Sequence, residues 1–479
     1  MKKPTRFKTN TRKKSRGVAM VLVTLLLMVI VPLIGLAIDG GTVYFLKGQL
    51  QQAVDAAALS GARSLSSGLT LNAQIANATN TATQYFKANF SDHFWGCSIS
   101  SFGANVSDDP NSAQVHIVSV SATANAPLYF LRMIGKTTAV IGASAQAKRR
   151  DVNVMMVLDR SSSMGAAGAI TPMIQGATLF ANSFAPGRDT VGAVVFGGNY
   201  YIYQPTKSFQ PSLVTALSKI TSSGNTGTAQ ALWVAYQALA GLNEPGALNV
   251  ILFFTDGLPN GFTADFAPYR ANAATCNVGG APMVGWVSQI SGFVNDPGTT
   301  HGLFSYTVAN PSNPSDPSDG SNSELITNRA GCNFASNPNN MYTDFTQIPP
   351  KDYYGNQTNP ANPYKSPTYP QATGAVTMAG GLKRATQVAA ASFNAADQAA
   401  QRMRNGEING IIPLVYAISL LDTPSEPPDP VFMKRVANTT DSNIYDSTKP
   451  TGRYINTTAN NQLQNAFLQI ASEILRLNQ

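Results

Sequence analysis

Three short stretches of this 479-residue chain place oxygen-bearing side chains where chemistry could be done. The first is Asp159-Arg160-Ser161-Ser162-Ser163, directly after the apolar run Val152 to Leu158. The second is Gly224-Asn225-Thr226, ahead of a helical pattern, and the third is Thr255-Asp256-Gly257, closing the apolar run that starts at Leu248. Together Asp159, Ser161, Ser163, Thr226 and Asp256 offer two carboxylates and three hydroxyls. Such an all-oxygen set suits Mg2+, with Mn2+ or Ca2+ also compatible and soft metals disfavoured. A buried strand that runs straight into a polar loop presents it at the strand's C-terminal end, where open α/β sheets gather their ligand sites. Any one stretch alone reads as a polar loop after a strand; three in the same context read as a site.

The elements that must position these residues follow from periodicity. From Asp151 onward apolar runs alternate with helical patterns, as an α/β, doubly wound, mostly parallel sheet requires. Strands are expected at 152–158, 191–196, 248–255 and 410–420, with helices at 170–184, 229–242 and 461–475. The last helix would align Leu463, Phe467, Ile470 and Ile474 on one face. Residues 258–381 turn Asn-, Pro-, Ser- and Tyr-rich and are too long for an ordinary loop. They read as an insertion in a domain built from 151–257 and 382–479. Because the insertion starts two residues after Asp256, it should emerge beside the site. Its Tyr353, Tyr354, Tyr364 and Tyr369 would then be either contact area for a partner or part of a solvated linker.

The formal charge of +8 does not point to nucleic acid. Eight basic residues lie within 1–16 with no acidic one among them, and the remainder balances at 25 basic against 25 acidic. From Val18 to Ile38, 21 consecutive residues carry no charge. As a helix that run is roughly 32 Å long, enough to cross a bilayer, whereas signal-peptide apolar regions usually have only about 7 to 15 residues. Residues 1–16 therefore read as a basic cytoplasmic tail and 17–38 as an uncleaved transmembrane helix in contact with lipid. By the positive-inside rule the bulk of the chain is exported, to a periplasm or the cell exterior, from the inner or cytoplasmic membrane. Residues 39–150 read as a small α+β membrane-proximal region: a helix over 44–65 rich in small residues, then strand patterns such as Val115 to Ala122 and Thr138 to Ala147. Gly135-Lys136-Thr137 is not a phosphate loop, since Phe130 stands where its first Gly is required.

Catalytic constellations are absent from the pattern. The histidines are His93, His116 and His301, none in a metal-ligand spacing or beside a Gly-x-Ser-x-Gly elbow, and packing explains His93 and His116 better. Arg160 and Arg188 read as surface residues. Of Cys97, Cys276 and Cys332, export would permit one bridge, most naturally between Cys276 and Cys332.

At the level of motifs, Asp159-x-Ser161-x-Ser163, Thr226 and Asp256 resemble the metal-ion-dependent adhesion site of von Willebrand factor A domains. The resemblance implies Ser161, Ser163 and Thr226 near a metal, Asp159 and Asp256 binding it directly or through water, and one position left for an acidic residue from a protein partner. Asn225 departs from the Gly common before the site's Thr. Arg16-Gly17, the apolar run, Ile38-Asp39-Gly40-Gly41 and the stretch Leu50 to Ala62 look like TadG-type proteins of bacterial tight-adherence (Flp) pilus loci. A type IV prepilin leader site also begins Arg-Gly, but Leu22 replaces the Glu those proteins carry. The combined expectation is a membrane-anchored, exported, non-enzymatic protein that binds a pilus, adhesion or envelope partner through its metal. The alternatives are a structural spacer with a vestigial site and a metal-dependent hydrolase.

Overall fold

The computed structural model describes residues 16–266, 283–288, 304–305, 328–329, 332–333, 348–361, 363–364, 381–421 and 427–478. Along the chain the elements are α1 (Arg16–Ser64), α2 (Leu71–Asn89), β1 (Ser98–Asp109), β2 (Ser112–Pro127), β3 (Thr138–Arg150), β4 (Val152–Asp159), α3 (Ser162–Ala166), α4 (Ile170–Asn182), β5 (Thr190–Phe196), β6 (Tyr200–Thr206), α5 (Ser212–Leu217), α6 (Thr228–Ala240) and β7 (Leu248–Thr255). There follow β8 (Gly261–Phe266), β9 (Met283–Ser288), β10 (Phe304–Ser305), β11 (Asn328–Arg329), β12 (Cys332–Asn333), α7 (Gly381–Asn405), β13 (Leu414–Leu420), α8 (Pro430–Ala437), β14 (Tyr454–Thr457) and α9 (Leu463–Leu477). Two compact units result, one holding the chain up to Ala62 with Ala78–Val106 and Val118–Ala147, the other Arg63–Asn77, Ser107–Ile117 and Lys148 onward.

In the first unit the apolar run and the helix expected over 44–65 form one continuous rod, α1, with Pro32 inside it. Between Met20 and Gly40 its side chains are exposed all round except at Gly35 and Asp39. Further along, Leu46, Leu50, Ala53, Ala57, Ala58 and Ala62 are buried. The strand patterns become the three-stranded sheet β1-β2-β3.

The second unit is built on a six-stranded sheet in the order β14-β13-β7-β4-β5-β6. Its neighbouring strands are parallel except β5 and β6, which are antiparallel. Every residue of β4 is buried, because helices cover both faces of a parallel sheet and leave no side for polar residues. Val154, Met156 and Leu158 pack toward α4 and α9, while Met155 and Val157 pack toward α6, α7 and α8. Each fully buried side chain of this size contributes about 1.5–3 kcal/mol. The expected face of α9 is fully buried at Leu463, Phe467, Ile470 and Ile474. The strand expected from 410 begins only at Leu414, since Asn409 and Gly410 form a turn with φ of 53° and 77°. The sequence reading did not anticipate β6, an edge strand that tolerates Pro205 because an edge needs fewer ladder donors.

Two arginines correct the surface expectation. Arg160 is 2% exposed and Arg188 6%. The Arg160 guanidinium donates to the Thr221 carbonyl (3.3 Å) and Asn199 Oδ1 (3.2 Å) and lies 4.8 Å over the Tyr201 ring. Arg188 Nε donates to Gln74 Oε1 at 2.9 Å. Burial is tolerable because each head group is hydrogen-bonded. His116 is likewise a satisfied interior residue, 2.7 Å from Asp108 through Nδ1 and 2.9 Å from Asp151 through Nε2, whereas the His93 side chain is 80% exposed. His301, Cys276 and Tyr369 lie outside the described residues, and with them the expected Cys276–Cys332 bridge; Cys97 is a buried free thiol.

The described parts of 258–381 are neither a solvated linker nor an exposed tyrosine surface. Strands β8, β9 and β10 form a small antiparallel sheet. Around Asp352 the chain makes a tight turn in which the carboxylate accepts from the Tyr354 and Asn356 amides at 3.0 and 2.7 Å. Arg402 on α7 holds this turn through the Tyr354 carbonyl (2.9 Å) and Asn356 Oδ1 (2.6 Å). Tyr364 is 5% exposed, its hydroxyl 2.5 Å from Asp429 and its ring packed on Phe393 and Phe432. Of these tyrosines only Tyr353 keeps about half its surface, at 49%.

Candidate functional site

Asp159 ends β4, in register with Phe196 at the end of β5, while the Leu158–Phe254 pairing sets Thr255 alongside at the end of β7. The parallel arrangement thus brings the loops after β4 and β7 to one edge without any special contact. Asp159 Oδ1 accepts the Ser161 amide at 2.7 Å and Oδ2 accepts the Thr255 hydroxyl at 2.5 Å. Ser161 Oγ lies 2.9 Å from Ser163 Oγ, and Ser163 Oγ donates to Asp256 Oδ1 at 2.8 Å. Ser161, Ser163 and Asp256 are thus joined through their side chains, and Asp159 is joined to them through the Ser161 amide.

Thr226, the fifth, is placed by backbone rather than by a bond to the carboxylates. Ser162 donates its amide to the Gly224 carbonyl (2.9 Å), Ser223 donates to the Arg160 carbonyl (2.8 Å), and Gly227 donates to the Gly197 carbonyl (2.8 Å). Gly197 has to be glycine, since a Cβ there would collide with the Ser223 carbonyl. On the other side the Thr226 amide donates to Asn260 Oδ1 at 2.7 Å, and Asn260 returns its amide to the Thr226 carbonyl at 3.1 Å. Three loops are thereby stitched together, and the start of the 258–381 segment is one of the stitches. Sequence reasoning missed Thr255 and Asn260 as supports. The Thr-Asp-Gly triplet carries a signal for Thr255; nothing local marks Asn260.

Asp159, Ser161, Thr226 and Asp256 are all at most 2% exposed, with Ser163 half-buried and Ser162 exposed, so the group meets solvent along α3. Burial pushes the Asp159 carboxyl up to about 6, against the lowering pull of the Thr255 and Ser161 hydrogen bonds. Burial, and then the charge of Asp159, push Asp256 up to about 8. Two carboxylates held this close in a dry site resist being ionised together. Among the described residues no three His, Cys, Asp or Glu side chains cluster, so any cation here relies on hydroxyl oxygens as well as carboxylates. The donor chemistry fits a hard divalent ion, whose charge would offset the repulsion.

A pH dependence follows. An unfolded Asp titrates near 3.9, so between about pH 4 and pH 8 the folded, metal-free protein binds more protons than the unfolded chain, and stability falls as pH rises. In chelator, the melting temperature should fall from pH 5 to pH 8 more steeply than that of an Asp159→Asn/Asp256→Asn double variant. Parallel profiles of the two proteins would show that these carboxyls are not raised.

Two family models match parts of the chain. The model of the von Willebrand factor type A domain matches residues 154–258, and that of the Flp pilus-assembly TadE/G-like family matches residues 17–64. No curated protein matches the chain. Similar solved structures include the pilus adhesin SpaC from Lactobacillus rhamnosus GG, at 12% identity, TM-score 0.36, covering 78% of this chain and 36% of that one. They also include the PilB minor pilin from Streptococcus sanguinis, at 12% identity and TM-score 0.35, with 79% of each chain covered. The vWF domain of the type V pili tip protein Mfa5 from Porphyromonas gingivalis is similar at 19% identity and TM-score 0.34, over 70% of this chain and 98% of that one. This chain thus spans about a third of the SpaC adhesin's length.

Proposed function

We propose that this chain, a pilus-associated protein carrying a TadE/G-like segment and a von Willebrand factor A domain, binds a protein partner through a divalent cation held by Asp159, Ser161, Ser163, Thr226 and Asp256. The observation that carries the reading is the Ser161–Ser163–Asp256 hydrogen-bonded chain beside Asp159, assembled at the C-terminal edge of a parallel sheet from loops 93 residues apart. When bound, Mg2+, Mn2+ or Ca2+ supplies the positive charge that two buried carboxylates call for and a coordination position for an acidic side chain of the partner. Asp159 and Asp256 would hold the ion, and the Ser161, Ser163 and Thr226 hydroxyls would supply further oxygen donors. The helix α1 is long and apolar enough over its first half to anchor the protein in the cytoplasmic membrane, with the domain exported. The partner is a pilus or envelope component, and the bound ion serves recognition rather than catalysis.

Full-length protein in detergent, used as bait on envelope extracts, tests the reading. Capture of a partner in Mg2+ should be lost with chelator and lost for Asp256→Asn. Equal capture in all three conditions would mean that the site is not the binding surface and would favour the structural spacer.

A further inference from the structure

In the first unit a closed loop lies against α1 at an unusual place. The Leu128 amide donates to the Thr137 carbonyl at 2.9 Å, closing the base, and Leu131–Ile134 form a single 3-10 turn at the tip. The Asp39 carboxylate accepts the Tyr129, Leu131 and Phe130 amides at 2.8, 2.8 and 3.0 Å. One helical turn back toward the N-terminus, Gly35 faces Phe130 so closely that a Cβ there would sit 2.6 Å from the Phe130 Cβ and 2.8 Å from Cγ of its ring. These two contacts explain why Gly35 and Asp39 alone are buried between Met20 and Gly40.

The contacts also fix the loop's depth. Gly35 belongs to the uncharged run Val18 to Ile38, about 6 Å back along the helix from Asp39. A ring packed on Gly35 therefore lies at the level of the apolar span, not beyond it. The tip carries its largest apolar groups outward, with Met133 85% and Ile134 75% exposed, beside Tyr129 at 47% and Phe130 at 39%. Exposed Arg132 and Lys136 flank them. An apolar tip bordered by a tyrosine and two cations matches the layering of a membrane interface, where aromatic rings sit at headgroup depth and long cations reach phosphates. The Asp39 carboxylate meanwhile satisfies three backbone donors that lipid could not.

We propose that the 128–137 loop is a second membrane contact, dipping Phe130, Met133 and Ile134 into the leaflet on the Asp39 side of the span and fixing the first unit against the bilayer surface. The occupant of this face is lipid because the patch is continuous with the apolar surface of α1. The proposal rests on the reading of α1 as a membrane anchor.

The test is collisional spin labelling of the full chain in anionic phospholipid vesicles, with Cys97→Ala, Cys276→Ser and Cys332→Ser as background and single nitroxides at Met133→Cys or Ile134→Cys. Leu27→Cys marks the span and Ser121→Cys the aqueous side. Labels at 133 and 134 should collide preferentially with oxygen, as Leu27 does, and Ser121 preferentially with a charged nickel chelate. Adding Asp39→Ala should reverse the preference at 133 and 134 while leaving Leu27 unchanged. Chelate preference at both loop sites with Leu27 still lipid-like would overturn the loop proposal alone; suppression of both collisions there would mean a protein covers the patch and would overturn it too. Chelate preference at Leu27 would remove the anchor reading and the proposal with it. On the unaltered sequence, an acyl-chain diazirine should place adducts within 129–134, and adducts confined to 20–38 would contradict the loop's insertion.

Discussion

Arg149→Ala should be among the most damaging single changes outside the site, lowering the stability of the second unit by about 3–5 kcal/mol. The Arg149 and Asp189 side chains are both 0% exposed, and the guanidinium grips Asp189 through bonds of 2.8 and 2.6 Å while also donating to Asp151 at 2.9 Å and Ser66 at 3.2 Å. Asp189 in turn accepts the Val152 and Ala185 amides at 3.0 and 2.8 Å, so the pair ties the entry of β4 to the turn before β5. Removing only the cation leaves a buried carboxylate uncompensated, which is the costly half of breaking a buried pair. Arg149→Met combined with Asp189→Asn should recover part of the loss, because the buried charge is gone and the amide oxygen still serves one of the two backbone donors. Urea unfolding followed by hydrogen exchange of the β4 amides measures both. The same contacts mean that a fragment starting at Asp151 would lack Arg149, Gln74 and His116, so metal and partner assays belong on the full chain.

The second large effect is expected at Asp159, and it should split by substitution. Asp159→Ala removes a charge and also the acceptor of the Ser161 amide and Thr255 hydroxyl, in a position that is 0% exposed rather than open to solvent. It should therefore abolish metal binding and loosen the loop, costing about 1–3 kcal/mol for the stranded donors. Asp159→Asn keeps an oxygen for one donor. It should lower metal affinity by about 100-fold or more, beyond the 10–100-fold typical of residues behind the ligands, with a smaller change in melting temperature. A variant pair that loses stability equally and keeps metal affinity would place Asp159 in a purely structural role.

Legibility differed sharply between the parts of this protein. Parallel strands at the centre of a sheet are written as apolar runs, so Val152 to Asp159 and Leu248 to Thr255 could be read with their ends, and the site residues at those ends came with them. The single rod α1 was legible from its parts, the apolar run and the small-residue pattern that follows it. Buried polar partners were not legible: Arg160, Arg188, Asp352 and Tyr364 look like surface residues in sequence because the groups that satisfy them come from distant segments. Nor could composition reveal that the Asn- and Pro-rich segment contributes Tyr364 to the core between α7 and α8. A turn held by one arginine, Arg402, carries no periodicity to detect.

Whether Asp159 and Asp256 share a divalent cation is tested most directly by Mn2+ binding followed by electron paramagnetic resonance on the full-length protein. One saturable site is expected at pH 8 that Mg2+ displaces, that weakens as pH falls and the carboxyls regain their protons, and that disappears in Asp256→Asn. An Asp256→Asn protein that binds Mn2+ as the unaltered protein does, or an unaltered protein with no saturable site, would contradict it.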